Sequence, residues 1–176
     1  MVRYLILLGL VLQAGQILAD TIAGRVVGVS DGDTITVLRD KEQIKIRLAG
    51  IDAPEKAQAF GNVAKQRMAD MVFGKDVRVD AKKKDKYGRS IGRVWVASAE
   101  CQASDCPKTL DAGMALLTMG LAWHYKKYEK EQPEEERRQY SFAEIEARGK
   151  RVGLWSDPKP VPPWEWRHRD KTNDSD

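Results

Sequence analysis

Residues 21 to 48 restrict the fold more tightly than any other part of this chain. The run TIAGRVVGVS leads into the turn DGD, followed by TITVLRD and QIKIRLAG. Ile35 and Val37 alternate with Thr34 and Thr36, while Ile44, Ile46 and Leu48 alternate with Lys45 and Arg47. That period of two puts apolar side chains on one face of a strand. Asp-Gly between such runs signals a hairpin, because these residues tolerate the positive φ of a tight turn. The spacing predicts a three-stranded antiparallel meander with one apolar face.

A helical period replaces the alternation in NVAKQRMADMVF, where Val63, Met68, Met71 and Val72 recur at helical spacing and Gly74 acts as a stop. KDVRVD and SIGRVWVA read as two further strands, joined by the basic segment AKKKDKYGR. Helices are predicted from Leu110 to Met119, ended by Gly120, and from about Glu134 to Arg148, ended by Gly149. Three strands, a helix, two strands and two helices fit an all-β barrel plus helices (α+β): a five-stranded Greek-key barrel of the oligonucleotide-binding type with three α-helices. An open α+β sheet is the alternative. A chain of 176 residues, 42% hydrophobic and 32% charged, suits one globular domain, here expected over 20–158. A Pro/Trp-rich extension and polar tail fill 159–176. Its prolines favour extended structure, and Trp164 and Trp166 are expected to pack back on the domain, since exposed indoles need a partner.

The first nineteen residues stand apart. Arg3 precedes an apolar run from Tyr4 to Leu12, and small Ala19 follows Gln13 and Gln16, the pattern of a secretory signal peptide cleaved near Ala19. A bilayer span would need roughly 20 apolar residues, and the two glutamines break this run. The expected product is secreted or periplasmic, without stable membrane association. Export permits a disulfide between Cys101 and Cys106, two free thiols being the alternative. His124 and His168 have no ligand-like spacing to that pair, which argues against a metal site there.

Net charge is +4, too small by itself to mark a nucleic-acid binder. Its distribution is more informative. Lys82, Lys83, Lys84, Lys86 and Arg89 crowd one stretch, and Lys126, Lys127 and Lys130 another. Either run alone reads as a solvated face. The acidic positions also group: Asp33 leaves the first hairpin, Asp52 and Glu55 follow the third strand, and a meander can make those ends neighbours. Carboxylate and carbonyl oxygens meeting there would suit a hard cation, Ca²⁺ or Mg²⁺, although Asp-Gly and Asp-Ala-Pro also occur in ordinary turns.

SDGDTITV, IRLAGIDAPE, DKYGRSIGRV, GLAW and GLWSDP stand in this order from Thr21 to about Pro158, and together they resemble the staphylococcal nuclease family. The resemblance implies the barrel just described and a Ca²⁺-dependent phosphodiesterase acting on DNA and RNA with little sequence preference. It implies Asp33 and Asp52 as carboxylate ligands of one Ca²⁺, joined by the backbone carbonyl of Ala53, where the family often has threonine. Glu55 resembles the glutamate assigned as general base toward water. Arg47 and Arg89 match the two arginines that hold the phosphate, and Lys84, Lys86 and Tyr87 resemble positions near the nucleotide's phosphates.

In GLAWHYKKY, Trp123, Tyr125 and Tyr128 are candidates to stack on bases, with packing against the barrel as the competing role. Trp155 is expected to lock the last helix to the body, and His124 to lie at the surface. Glu55 is only about six residues from Asn62, a short loop that would alter substrate access and the preference for single strands; single-stranded DNA and RNA are the expected substrates. Family analogy implies release of the 5′-oxygen and a 3′-phosphate product. A monomer is the default. A non-catalytic binding module on the same barrel is the alternative function.

Overall fold

A computed structural model of the chain describes residues 20–173 apart from 102 and 104; the expected signal peptide at 1–19 lies outside the described residues. The meander forms β1 (Asp20–Asp31), β2 (Thr34–Arg39) and β3 (Glu42–Leu48). Val26 lies opposite Val37 and Ile35 opposite Ile46, and all four side chains are at most 1% exposed. A one-residue slip would turn that whole set outward, so burial fixes the register.

The remaining elements follow in chain order: β4 (Ile51–Asp52), α1 (Gly61–Val72), β5 (Asp76–Lys84), β6 (Ser90–Ala97), β7 (Lys108–Asp111), α2 (Ala112–Thr118), β8 (Trp123–His124), α3 (Glu134–Gly149) and α4 (Pro163–Asn173). The long β1 pairs with β5 through residues 20–25 and with β2 through residues 25–31. Register shifts in its β2 half provide the local bending that lets one strand serve two neighbours. β5 pairs with β6, and β6 runs parallel to β3, closing five strands into the expected barrel, with β7 added at the side. Inside it lie Ile22, Val26, Ile35, Ile46, Val79 and Val94, covered by Ala64, Met68 and Val72 of α1.

Two predicted boundaries change. The helix expected from Leu110 starts at Ala112, because Leu110 and Asp111 pair with Val96 and Trp95 of β6. Asp111 then caps α2, its Oδ1 accepting from the N–H groups of Gly113 (2.9 Å) and Met114 (3.1 Å). The extension is not wholly extended: a fourth helix begins at Pro163, where the ring's fixed φ suits a first turn. It packs back through Trp164, whose ring lies 5.4 Å from Trp123 and 5.8 Å from Tyr125.

A buried polar network clamps α3 to the barrel. Asp111 Oδ2 accepts from Arg93 Nη2 (2.7 Å) and from the Tyr140 hydroxyl (2.8 Å). Arg93 reaches Glu136 (3.3 Å), which accepts from Gln132 (2.9 Å), whose Oε1 meets His124 Nε2 at 2.9 Å. His124 is therefore a core residue, 1% exposed, rather than the surface histidine expected. Strand pairing with β4 draws it inside. A disulfide joins Cys101 to Cys106 beside β7, with the Cα atoms 5.9 Å apart.

Candidate active site

The first hairpin delivers Asp33 to the barrel rim. Its N–H donates to Asp31 Oδ1 at 3.0 Å, and Gly32 lets the turn press inward. A Cβ on Gly32 would lie 2.7 Å from that of Ala53 and 2.9 Å from that of Ala64, so a larger residue would push the turn off both the Asp52 loop and α1. Asp33 Oδ2 in turn accepts from the Ala53 N–H at 2.6 Å, tying hairpin to loop.

Asp52 reaches the same place from β4. Pairing of Ile51 with His124 and of Asp52 with Trp123 holds that short strand, and the Tyr125 N–H donates to the Gly50 carbonyl at 2.9 Å. Arg47 joins the two carboxylates. Its Nη2 is 2.8 Å from Asp52 Oδ1 and 3.1 Å from Asp33 Oδ2, while Nη1 donates to the carbonyls of Leu48 and Ile51, both at 2.9 Å. The arginine expected to face phosphate is thus also a clamp that fixes both acids. Burial pushes the Asp33 carboxyl up to about 7; the Arg47 charge opposes this, while Asp31 and Asp52 add to it. A carboxyl so placed gains from any cation that relieves its desolvation.

Two buried carboxylates bound to one guanidinium nitrogen form an oxygen-rich cradle for positive charge, and that donor chemistry fits a hard cation. Among the described residues no cluster of three His, Cys, Asp or Glu side chains has metal-binding spacing. Backbone oxygen and water would have to complete a shell begun by Asp33 and Asp52, which is compatible with Ala53 as a carbonyl donor.

Glu55 follows on the loop into α1, its side chain 37% exposed toward the opening. The loop sits tightly on the helix start: a Cβ on Gly61 would lie 1.8 Å from the Glu55 carbonyl oxygen. Gln58 braces it from the other side, its Oε1 accepting from the Glu55 N–H at 3.2 Å. Glu55 also has a partner that the sequence did not announce. Arg167 of α4 places Nη1 2.8 Å from Glu55 Oε1 and Nη2 2.8 Å from Asp52 Oδ2. The sole hint was the pair of tryptophans just before it, Trp164 and Trp166.

Asp33, Arg47, Asp52, Glu55, Arg89 and Tyr87 line one cavity of about 650 Å³. Arg89 enters from the β5–β6 turn, its Nε donating to Asp85 Oδ2 at 2.7 Å while its N–H and that of Tyr87 bind Asp85 Oδ1. Lys84, Lys86 and Tyr87 are exposed at the same mouth. The Lys86 ammonium lies 5.0 Å, and the Arg89 guanidinium 5.4 Å, from the Tyr87 ring centre, and Tyr87 is itself 71% exposed.

The expected aromatic contacts divide. Tyr125 is half-buried at the mouth, 5.5 Å from Tyr128, and faces both this cavity and an adjoining cleft of about 1120 Å³ beside α4. Trp123 corrects the expectation. It is 8% exposed, with its ring 4.4 Å from Trp155 and Arg148 stacked at 4.9 Å. The residue expected to stack on bases is a packing residue that holds Asp52 through its backbone. Trp155, 7% exposed beneath Arg148 at 4.1 Å, joins α3 to the body.

The family model described as "Staphylococcal nuclease homologue" matches residues 45–157. The chain is similar to Protein ParB of Escherichia coli, 48% identical over 153 residues, which cover 87% of this chain and 82% of the relative. It is similar to a micrococcal nuclease of Shigella flexneri, 43% identical over 84% of this chain and 82% of that one. An uncharacterized endonuclease of Escherichia coli O157:H7 is 39% identical over 87% of this chain and 90% of its own length.

Proposed function

The chain belongs to the staphylococcal nuclease family and hydrolyses phosphodiester bonds in nucleic acid, and from that premise we propose that it is a Ca²⁺-dependent nuclease of DNA and RNA. We take single strands as its preferred substrate and 3′-phosphate as the product end. The observation that carries this reading is the convergence of Asp33, Asp52, Glu55 and Arg47 at the rim of one cavity that Arg89 also lines.

Rate arithmetic shows why several groups are required. Enzymes lower barriers by roughly 8 to 23 kcal/mol, and phosphate-ester hydrolysis demands the upper part. A positioned base supplies about 10² to 10⁴ in rate, some 3 to 5 kcal/mol, and the remainder must come from charge and position. Asp33 and Asp52, with the Ala53 carbonyl, would hold the cation. When bound, Ca²⁺ would polarise a phosphoryl oxygen and offset the charge that develops there. Glu55 takes a proton from the attacking water, whose oxygen bonds to phosphorus as the P–O5′ bond breaks, and the departing 5′-oxygen takes up a proton from solvent to leave as the alcohol. Arg89 steadies the non-bridging oxygens with a planar fork that lysine lacks. Arg47 shares that task while keeping both aspartates in place. Tyr87 and Tyr125 offer ring faces to bases without sequence preference, and Lys84 and Lys86 offer charge to the backbone.

Among the described residues no helix is long and apolar enough to cross a membrane. The leader-like residues 1–19 and the Cys101–Cys106 bridge support export to the periplasm or medium. Cleavage of defined DNA and RNA strands, with Ca²⁺ and with chelator, tests the reading when product ends are identified. Ca²⁺-dependent products with 3′-phosphate ends are expected. Equal cleavage in chelator would overturn the calcium requirement.

A further inference from the structure

Asp52 has no carboxylate oxygen left over in this arrangement. Oδ1 accepts from Arg47 Nη2 at 2.8 Å and from Arg167 Nη1 at 3.2 Å, and Oδ2 accepts from Arg167 Nη2 at 2.8 Å. The same Arg167 nitrogen that meets Oδ1 lies 2.8 Å from Glu55 Oε1. One guanidinium therefore spans the expected cation ligand and the expected base. A divalent cation on Asp52 would compete with Arg167 for the same oxygens and repel its charge, and Arg167 occupies Oε1 of Glu55, one of the two oxygens that could take a proton from water.

We propose that α4 is an intramolecular plug of the active site, in which Arg167 holds Asp52 and Glu55 until cation and substrate displace it. The inference rests on the nuclease reading of these carboxylates. Two observations support a built device rather than a stray side chain. The helix is anchored beside the site by Trp164, packed on Trp123 and Tyr125. Its lead-in is tied to the Glu55 loop through Gln58, which accepts from the Glu55 N–H and donates to the Val161 carbonyl.

Arg167 is a suitable occupant on chemical grounds. A guanidinium stays charged at every working pH. Its side chain remains 40% exposed while that of Asp52 is 1% exposed. The contact is thus accessible to competing ions, as a displaceable plug requires and a permanent buried pair would not be. Closure lowers apparent cation affinity by the fraction of molecules that remain open.

The test uses the full mature chain, Ca²⁺ alone as probe, and two readouts without turnover: calorimetric Ca²⁺ affinity and hydrogen exchange of the 159–173 amides. Saturating Ca²⁺ is expected to speed exchange in α4 of the parent protein. Arg167→Gln is expected to speed it without metal and to tighten Ca²⁺ binding about tenfold, as for a closed state holding nine molecules in ten. Trp164→Ala retains the charge but removes the anchor, and is expected to act in the same direction on both readouts. Slower or unchanged α4 exchange with Ca²⁺ bound overturns the proposal, as does parent-like behaviour of either variant. Should no form bind Ca²⁺, the calcium reading fails on its own. The plug is then judged by α4 exchange in metal-free Arg167→Gln, where acceleration supports it and parent-like exchange overturns it.

Discussion

Two arginine–carboxylate clusters hold buried acids in this protein, one around Asp52 and one around Asp111, and their difference separates chemistry from architecture. Asp52 and Asp111 are 1% and 7% exposed, and each is bound by arginine. Asp111 also caps α2 and accepts from Tyr140, so its partners come from three elements that run through the core. Asp52 opens through Arg167 and Glu55 onto a cavity, and Arg167 comes from the terminal helix. Burial of a carboxylate does not identify a catalytic one. The useful distinction is whether its partners can be exchanged for ligand.

The largest expected effect breaks the architectural cluster. Asp111→Ala leaves Arg93 and Tyr140 without their shared partner and removes a helix cap, a loss of about 3–5 kcal/mol for a disrupted buried pair. Thermal melting checks it, and the folded fraction should keep its turnover. On the rim the pattern reverses. Arg89→Lys keeps the charge but loses the fork, and a lost transition-state contact of this type costs about 10²–10³ in kcat; stopped-flow cleavage against melting temperature separates that from unfolding. Gly61→Ala sharpens the boundary between the regions. Its Cβ would meet the Glu55 carbonyl, so overpacking of up to about 3 kcal/mol should appear together with reduced cleavage. The smallest effect belongs to the short disulfide loop between β6 and β7. Replacing Cys101 and Cys106 with serine opens a short ring, costing at most about 2 kcal/mol in denaturant melts, with cleavage unchanged.

Much of the fold was legible because burial enforces a simple period. Ile35, Val37, Ile46 and Leu48 alternate in sequence and lie at most 2% exposed in the barrel. Asp33, Arg47, Asp52 and Glu55 could be grouped because consecutive strands bring their ends together. Arg167 could not, since it reaches Glu55 across 112 residues and its position depends on where a terminal helix docks. Trp123 misled for a related reason: an indole suits base stacking and core packing equally well, and only the arrival of Trp155 and Trp164 decides between them. Asp111 resembled a helix residue until β7 claimed it, because edge pairing depends on a distant partner strand. His124 was drawn inside by pairing with Ile51, another contact that local pattern does not encode.

The most direct test compares two glutamates, Glu55→Gln on the rim and Glu136→Gln in the network, by single-turnover cleavage of one labelled strand at equal folded fraction. Glu55→Gln should lose about 10²–10⁴ in rate, the contribution of a positioned base, with its melting temperature preserved. Glu136→Gln should cleave at nearly the parent rate and melt earlier. Parent-like cleavage by Glu55→Gln, or a comparable rate loss in folded Glu136→Gln, would contradict the division between a rim that reacts and a network that holds.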